Sequence, residues 1–284
     1  ALDPQTVRVV EFTSDGTLVT TYGGSRGRGP EEIYRPTGFA FNDSVLAVLD
    51  VGNQKTLLYS RQGIFTGIVP SAAQYRDVAM LGEDLVLVPG QDGALVDVAS
   101  PAESDVALES MGDAADLPVR CDGEDCPRLR SMCTGCQIAA AGDSSFVITN
   151  IEESIIAVFD RSGQLLQRMD FLVDDPVVRG WHEEDLPLIR QENEESGGRT
   201  ELLKTYFLSV QPVGEMRIGT AVAPSGPVVH ESGYEYWLID LDAGTVERYG
   251  LPRQRLGYRA VGDGPVYALD MNDGGIYQLT MPSG

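Results

Sequence analysis

All four cysteines of the chain fall between positions 121 and 136, at Cys121, Cys126, Cys133 and Cys136. An even, clustered set of thiols has two usual uses: cross-linking in an oxidising compartment, or holding zinc as thiolates. The Cys133-Thr-Gly-Cys136 half has the spacing of a zinc knuckle, and the gap from Cys121 to Cys126 is tolerable for one. The disulfide reading takes precedence, because the chain starts at Ala1, without Met or a charged-then-apolar leader, as a mature exported form would. Three pairings are open. Haem attachment fails, since Gln137 rather than His follows Cys136. A redox-active pair would need a helix start after a strand to lower its thiol pKa, and none is signalled.

The remaining candidates for chemistry are sparse. There are two histidines, His182 and His230, so a three-histidine zinc site is excluded by count. The letters Gly-x-Ser-x-Gly at Gly23 to Gly27 lack the helix start of a nucleophile elbow. Asp122-Gly-Glu-Asp125 and Asp270-Met-Asn-Asp-Gly274 are oxygen-rich, but neither follows a twelve-residue calcium loop with its terminal Glu. The run YGGSRGRGPEE, from Tyr22 to Glu32, has four glycines and two arginines. It lacks the Lys-Ser/Thr and the helix start of a phosphate loop and reads as a structural crossing. No catalytic, metal-binding or cofactor-binding residue is assigned, with calcium and zinc kept as alternatives.

Whatever these residues do, a repeated β-unit must position them. Pro36 to Pro70 holds four short apolar runs broken by Asn42-Asp43, Asp50-Val51-Gly52-Asn53 and Arg61-Gln62-Gly63. Short β-branched and aromatic runs bounded by Gly, Asn and Asp are strand-and-hairpin signals. The pattern returns one hundred positions later without a gap. Asn42 to Gly63 overlies Gly142 to Gly163, so that Leu46 meets Phe146, Tyr59 meets Phe159, Arg61 meets Arg161 and Gly63 meets Gly163. A self-similar four-stranded unit of this length predicts an all-β propeller, whose blades bury their faces against one another.

Along the chain, 36–70 is one blade, Tyr75 to Ser110 a second with a weak outer part, Gln137 to about Phe171 a third, and Glu215 to Gly250 a fourth. A fifth is expected from 257–281 joined to 7–22, the N- and C-terminal strands pairing to close the ring and hide its sheet edges. Two non-strand inserts interrupt this single domain of residues 1–284: a Cys-rich one at about 111–136 and a charged one at about 173–211. Short helices are expected in the latter at 182–195 and 200–208.

The order strand, YGG, Gly-Pro-Glu-Glu, a Pro-led inner strand, then Asp50-x-x-Asn53 before an outer hairpin resembles bacterial six-bladed β-propeller proteins of the NHL-repeat-like kind. Five blades are readable from the residues, and the resemblance favours six. It implies that Asp50 and Asn53 are turn devices. It also implies an exported binding protein, and it transfers no catalytic residue. The third blade departs from the pattern with Asn150-Ile-Glu-Glu153.

Twenty-one basic against 43 acidic residues leave a net charge of −22. That sign argues against nucleic acid and against an anionic membrane surface, both of which need clustered Lys and Arg. No apolar run reaches membrane-spanning length. The expected function is therefore a non-enzymatic, periplasmic or extracellular scaffold, or an accessory subunit on the outer face of a membrane complex, with another protein as partner. Long loops on rigid repeats commonly carry recognition. The partner-binding candidates are accordingly Trp181 with Val178, Arg179, Leu186, Leu188 and Ile189, against the alternative that Trp181 merely seals the insert onto the scaffold. A metal-dependent hydrolase or lyase working in the channel, or a propeller binding a carbohydrate or other small ligand, are the alternative functions.

Overall fold

The computed structural model describes residues 1–13, 15–71, 74–90, 94–101, 107–113, 116–117, 135–150, 153–195, 206–222 and 235–250, together with the strands 256–260, 266–270 and 276–279. Four complete four-stranded antiparallel meanders follow one another. They are β4 to β7 (Pro36–Phe41, Val45–Asp50, Lys55–Ser60, Phe65–Pro70), β8 to β11 (Tyr75–Leu81, Asp84–Pro89, Val96–Ala99, Glu109–Met111), β12 to β15 (Cys136–Ala141, Ser145–Asn150, Ile155–Asp160, Leu165–Asp170) and β16 to β19 (Phe207–Gly214, Arg217–Val222, Glu235–Asp240, Thr245–Gly250). Two three-stranded sheets flank them: β1 to β3 (Leu2–Asp3, Arg8–Phe12, Leu18–Gly23) and β20 to β22 (Leu256–Ala260, Val266–Asp270, Ile276–Leu279). The architecture is that of an all-β propeller. Among the described strands, the two terminal sheets are separate and share no ladder.

The repeat is exact to the residue. All four strands of 36–70 return one hundred positions later in 136–170, and both blades carry a bulge at the same place, Leu58/Tyr59 and Val158/Phe159. Gly63 and Gly163 turn the last hairpin of each with φ of 81° and 80°, backbone that a side chain resists.

These turns also lock neighbouring blades. Arg61 pairs with Glu11 on β2, and Arg161 pairs with Asp84 on β9, each reaching the preceding sheet. A Cβ on Gly63 would lie 3.1 Å from the Thr21 carbonyl oxygen, and one on Gly163 would lie 2.8 Å from the Gly112 nitrogen. The matched residues of the repeat are thus inter-blade contacts as well as turn formers.

The core consists of apolar layers between successive sheets. Val9, Tyr22 and Ile33 meet Leu46, Leu57 and Tyr59; Leu49 and Leu58 meet Val78 and Leu85; Val86 and Val88 meet Phe146 and Phe159; Val147 and Ile156 meet Phe207, Ile218 and Trp237. The alternate side chains of each strand point to opposite faces, so a strand between two layers reads as nearly continuous hydrophobic sequence. Innermost strands run in step. Asp77, near the start of β8, fits against Gly38 of β4, and its Oδ2 accepts from Ile138 N of β12 at 3.1 Å.

Two boundaries differ from expectation. The insert helix is one element, Pro176–Glu195, preceded by a single turn, Phe171–Asp174; we label them α2 and α1. The expected start at 182 is too late because Asp175-Pro176 is itself a start signal. Proline suits the first helical position, and the Asp175 carboxylate accepts from Val177 N (2.9 Å) and Val178 N (3.3 Å). The inner strand of the fourth blade is β16, within the segment assigned to the insert, and Phe207–Leu208 are strand rather than the end of a helix. Phe207, Val210 and Val213 bury there, and Pro212 is tolerated because β16 is the edge strand of its sheet. Residues 196–205, which hold the rest of the second expected helix, lie outside the described residues.

Candidate interaction surface

The meander fixes where each loop emerges. Strands 1 and 3 of a blade begin, and strands 2 and 4 end, at the same rim; Pro36 faces Asp50 and Lys55 faces Pro70 there, as Cys136 faces Asn150 and Ile155 faces Asp170. Every crossing from one blade to the next leaves from this rim. Both inserts therefore attach to it, one between Met111 and Cys136, the other between Asp170 and Phe207.

The crossing before β4 is clasped to the rim by polar residues. Asp50, wholly buried, accepts from Tyr34 N and Arg35 N at 2.8 Å, from Gly52 N at 3.2 Å, and from Asn53 Nδ2 at 2.8 Å. Asn53 Nδ2 also donates to Gly27 O and Glu32 O, and Lys55 Nζ donates to Gly29 O and Pro30 O at 2.7 Å. Burial lowers the Lys55 pKa, against the opposing pull of Asp50 and Glu32. The conspicuous Asp-x-x-Asn corner and the glycine-rich run thus use their polar groups on each other. A cavity of about 660 Å³ beside them is lined by Arg28, Asn53, Lys55, Ile68 and Gln74.

The second insert is built differently. α1 and α2 dock on the fourth blade through aromatic contacts. Phe171 meets Phe207 and Trp237 edge-on at 5.8 and 5.4 Å, and Trp181 lies 6.1 Å from Trp237. Arg248 of β19 stacks on the Trp237 ring at 4.6 Å and pairs with Asp175, the residue that caps α2. His182 Nδ1 meets the Tyr206 hydroxyl. Arg179 folds back to donate to the Leu172 and Val173 carbonyls at the end of α1.

This docking divides the residues singled out in the sequence. Val178 and Ile189, with 2% and 6% exposure, are buried, Val178 in the layer that holds Phe207 and Trp237; their apolar character serves packing. Arg179 is committed to α1, although exposed. Trp181 is half-buried, so sealing is one of its roles. Leu186 is half-buried, and Leu188 is exposed at 48%. Val173 and Val177, exposed at 57% and 45%, join Leu188 on the open side. Sequence proximity grouped all these residues; the 3.6-residue period separates them, but only the docked helix shows which stripe is free.

Of the cysteines, Cys136 opens β12 at the same rim, is buried, and is not a free thiol. Cys121, Cys126 and Cys133 lie outside the described residues, as do His230, the 122–125 acidic run and residues 271–274. Among the described residues, no cluster of His, Cys, Asp and Glu is arranged to hold a metal ion, and no helix is long and apolar enough to cross a membrane.

No protein-family profile and no curated protein matches the sequence. Among solved structures, the chain is similar to a candidate exported protein from Bacteroides fragilis at 13% identity and a TM-score of 0.51, over 94% of this chain and 75% of that one. It is similar to a streptogramin B lyase at 12% and 0.51, over 93% and 70%. It is likewise similar to a chain of a nidogen–laminin complex at 12% and 0.51, over 89% and 79%. At these identities the likeness is one of architecture alone. On its sheet order, its internal repeat and these neighbours, the chain is a β-propeller.

Proposed function

We propose that this propeller is a non-enzymatic, exported scaffold that binds another protein through the rim carrying its two inserts, as an accessory subunit at the outer face of a membrane complex. One observation carries the reading. The insert helix is fastened to the fourth blade by aromatic and ionic contacts, yet it leaves Val173, Val177 and Leu188 open to solvent. A helix ordered at the expense of conformational entropy, with apolar side chains kept outside, is preorganised for a partner. The polar residues of the other rim corner are used in the clasp, which fits a structural part better than a reactive one. Location outside the cytoplasm is supported by the clustered cysteines and by Cys136 not being a free thiol. The same reading makes the Cys-rich insert a disulfide-stapled loop and the two terminal sheets the outermost parts of a six-bladed ring.

Purification of the native protein from its host at low salt, followed by size-exclusion chromatography and mass spectrometry, tests this. A defined complex in stoichiometric amount is expected. A monomer with no associated protein, together with calcium-dependent turnover of lactone or ester substrates, overturns it in favour of a hydrolase or lyase.

A further inference from the structure

Along α2, Val177, Trp181, Glu184, Leu188, Gln191 and Glu195 succeed one another at spacings of four, three, four, three and four residues. Such spacings place them on one stripe of the helix surface. A second stripe, Val178, Asp185 and Ile189, is buried, and Val178 joins the apolar layer of the third and fourth blades. The first stripe borders it. Trp181 is half-buried and wedged against Trp237, and Val177, Glu184, Leu188, Gln191 and Glu195 are exposed. The stripe is therefore a seam beside the docked face, apolar at Val177, Trp181 and Leu188 and acidic at Glu184 and Glu195. Gln191 Nε2 donates to Glu195 Oε1 at 2.8 Å along it. Glu183 and Glu194 are exposed further round the helix, as is Arg190, whereas Arg179 is turned back on α1.

We infer that this seam receives a cationic amphipathic helix of a partner protein, its apolar residues packing on Val177, Trp181 and Leu188 and its Lys or Arg side chains facing Glu184 and Glu195. The inference deepens the scaffold reading and rests on it. Charge selects the occupant. A second copy of this chain would bring an acidic seam against another in a molecule of net charge −22, and an anionic membrane would meet the same repulsion. A partner with apolar residues at helical spacing, flanked by cations, satisfies both parts of the seam at once. Helix-on-helix packing along such a stripe is an established mode of recognition.

The test uses the full chain and two synthetic helical peptides, one of Leu and Lys in amphipathic pattern and its Leu and Glu counterpart, with binding measured calorimetrically. The Lys peptide is expected to bind and the Glu peptide not to. Val177→Asp with Leu188→Asp weakens binding by about tenfold or more, the loss typical of a truncated interface centre. Glu184→Lys with Glu195→Lys transfers preference to the Glu peptide. Glu215→Lys with Asp242→Lys, the same charge change at exposed turns of the opposite rim, leaves binding as it was. Matching thermal midpoints establish that the surface variants are folded. Absence of binding by the Lys peptide, or equal losses in the seam and opposite-rim variants, overturns the seam. The Val177→Asp, Leu188→Asp protein is also purified from its host. If the native complex survives in that variant, the seam proposal falls and the scaffold reading stands. If the wild-type protein has no complex at all, the scaffold reading falls, and the peptide measurements decide the seam separately.

Discussion

The ring of Trp181, on the insert helix, lies 6.1 Å from that of Trp237 on β18, with the two planes tilted by 36°. Trp237 is wholly buried and also touches Phe171, Phe207 and the Arg248 guanidinium. A blade residue thus serves as the anchor for both pieces of the insert. Replacing it with alanine removes a large buried side chain, an operation that costs about 3–5 kcal/mol. Trp237→Ala is expected to lower stability by that amount in urea denaturation and to release α2, seen as faster amide exchange over 176–195. Trp181→Ala acts on a half-buried ring and costs less, while it also speeds exchange in the helix.

Asp175 performs two tasks whose separation can be measured. It caps α2 by accepting from Val177 N and Val178 N, and it forms the ion pair with Arg248. Burial lowers the pKa of Arg248, so the pair is partly desolvated and its carboxylate partner matters more than at an exposed site. Asp175→Asn keeps a capping oxygen and loses the charge, whereas Asp175→Ala loses both. Exchange of the Val177 and Val178 amides should accelerate in the alanine variant and stay slow in the asparagine variant. The alanine variant should be about 1 kcal/mol less stable than the asparagine variant, the usual worth of an N-cap.

The blades were legible because the physics of a repeat is written in local signals. Gly63 and Gly163 need positive φ, Asp50 and Asn53 form a corner, and the apolar runs between them alternate with turn residues. The one-hundred-residue shift of Asn42–Gly63 therefore located the two middle strands of 136–170, and the outer two keep the same offset. The insert was less legible because its signals compete. Asp175-Pro176 is the start signal of α2, but an Asp-Pro pair also signals a turn, so the expected start at 182 falls too late. Pro212 similarly hid β16, an edge strand in which proline does no harm. The assignment of Val178 and Ile189 to a partner failed for another reason. A helix has two apolar stripes here, and which of them meets the propeller depends on Trp237 and Phe207, which belong to a later blade.

Glycine at the hairpin ends provides a comparison within one molecule. Gly163 and Gly244 both have positive φ, of 80° and 63°. A Cβ on Gly163 would meet the Gly112 nitrogen at 2.8 Å and its Cα at 2.9 Å, backbone that cannot swing aside, whereas a Cβ on Gly244 meets nothing within 4 Å. Gly244→Ala should therefore cost only the left-handed backbone penalty, about 1–2 kcal/mol. Gly163→Ala should cost more, because the second and third blades must also separate at that point. Denaturation midpoints of the two variants, compared with wild type, give the order directly, and equal losses would contradict the proposed inter-blade contact.

Alkaline pH should unfold the protein through its tyrosines. Burial pushes the phenols of Tyr22, Tyr59 and Tyr236 from 10.0 up to about 12; for Tyr22 the hydrogen bond to Glu11 adds to it, and for Tyr59 the charges of Glu31 and Asp50 do. A phenol with a raised folded-state pKa favours the native protein while it is protonated in both states. That contribution is complete below pH 10, where the unfolded phenol still holds its proton, and is lost as pH rises toward about 12. Stability should accordingly be flat with respect to these groups up to pH 10 and fall across the next two units, in step with tyrosinate absorbance. Tyr59 isolates the effect. Its hydroxyl is buried with no hydrogen-bond partner among the described residues. Tyr59→Phe removes an unsatisfied polar atom, so it should be neutral or stabilising at pH 7 and should shallow the alkaline decline. A loss of stability at pH 7 in this variant would mean that the hydroxyl is bonded after all.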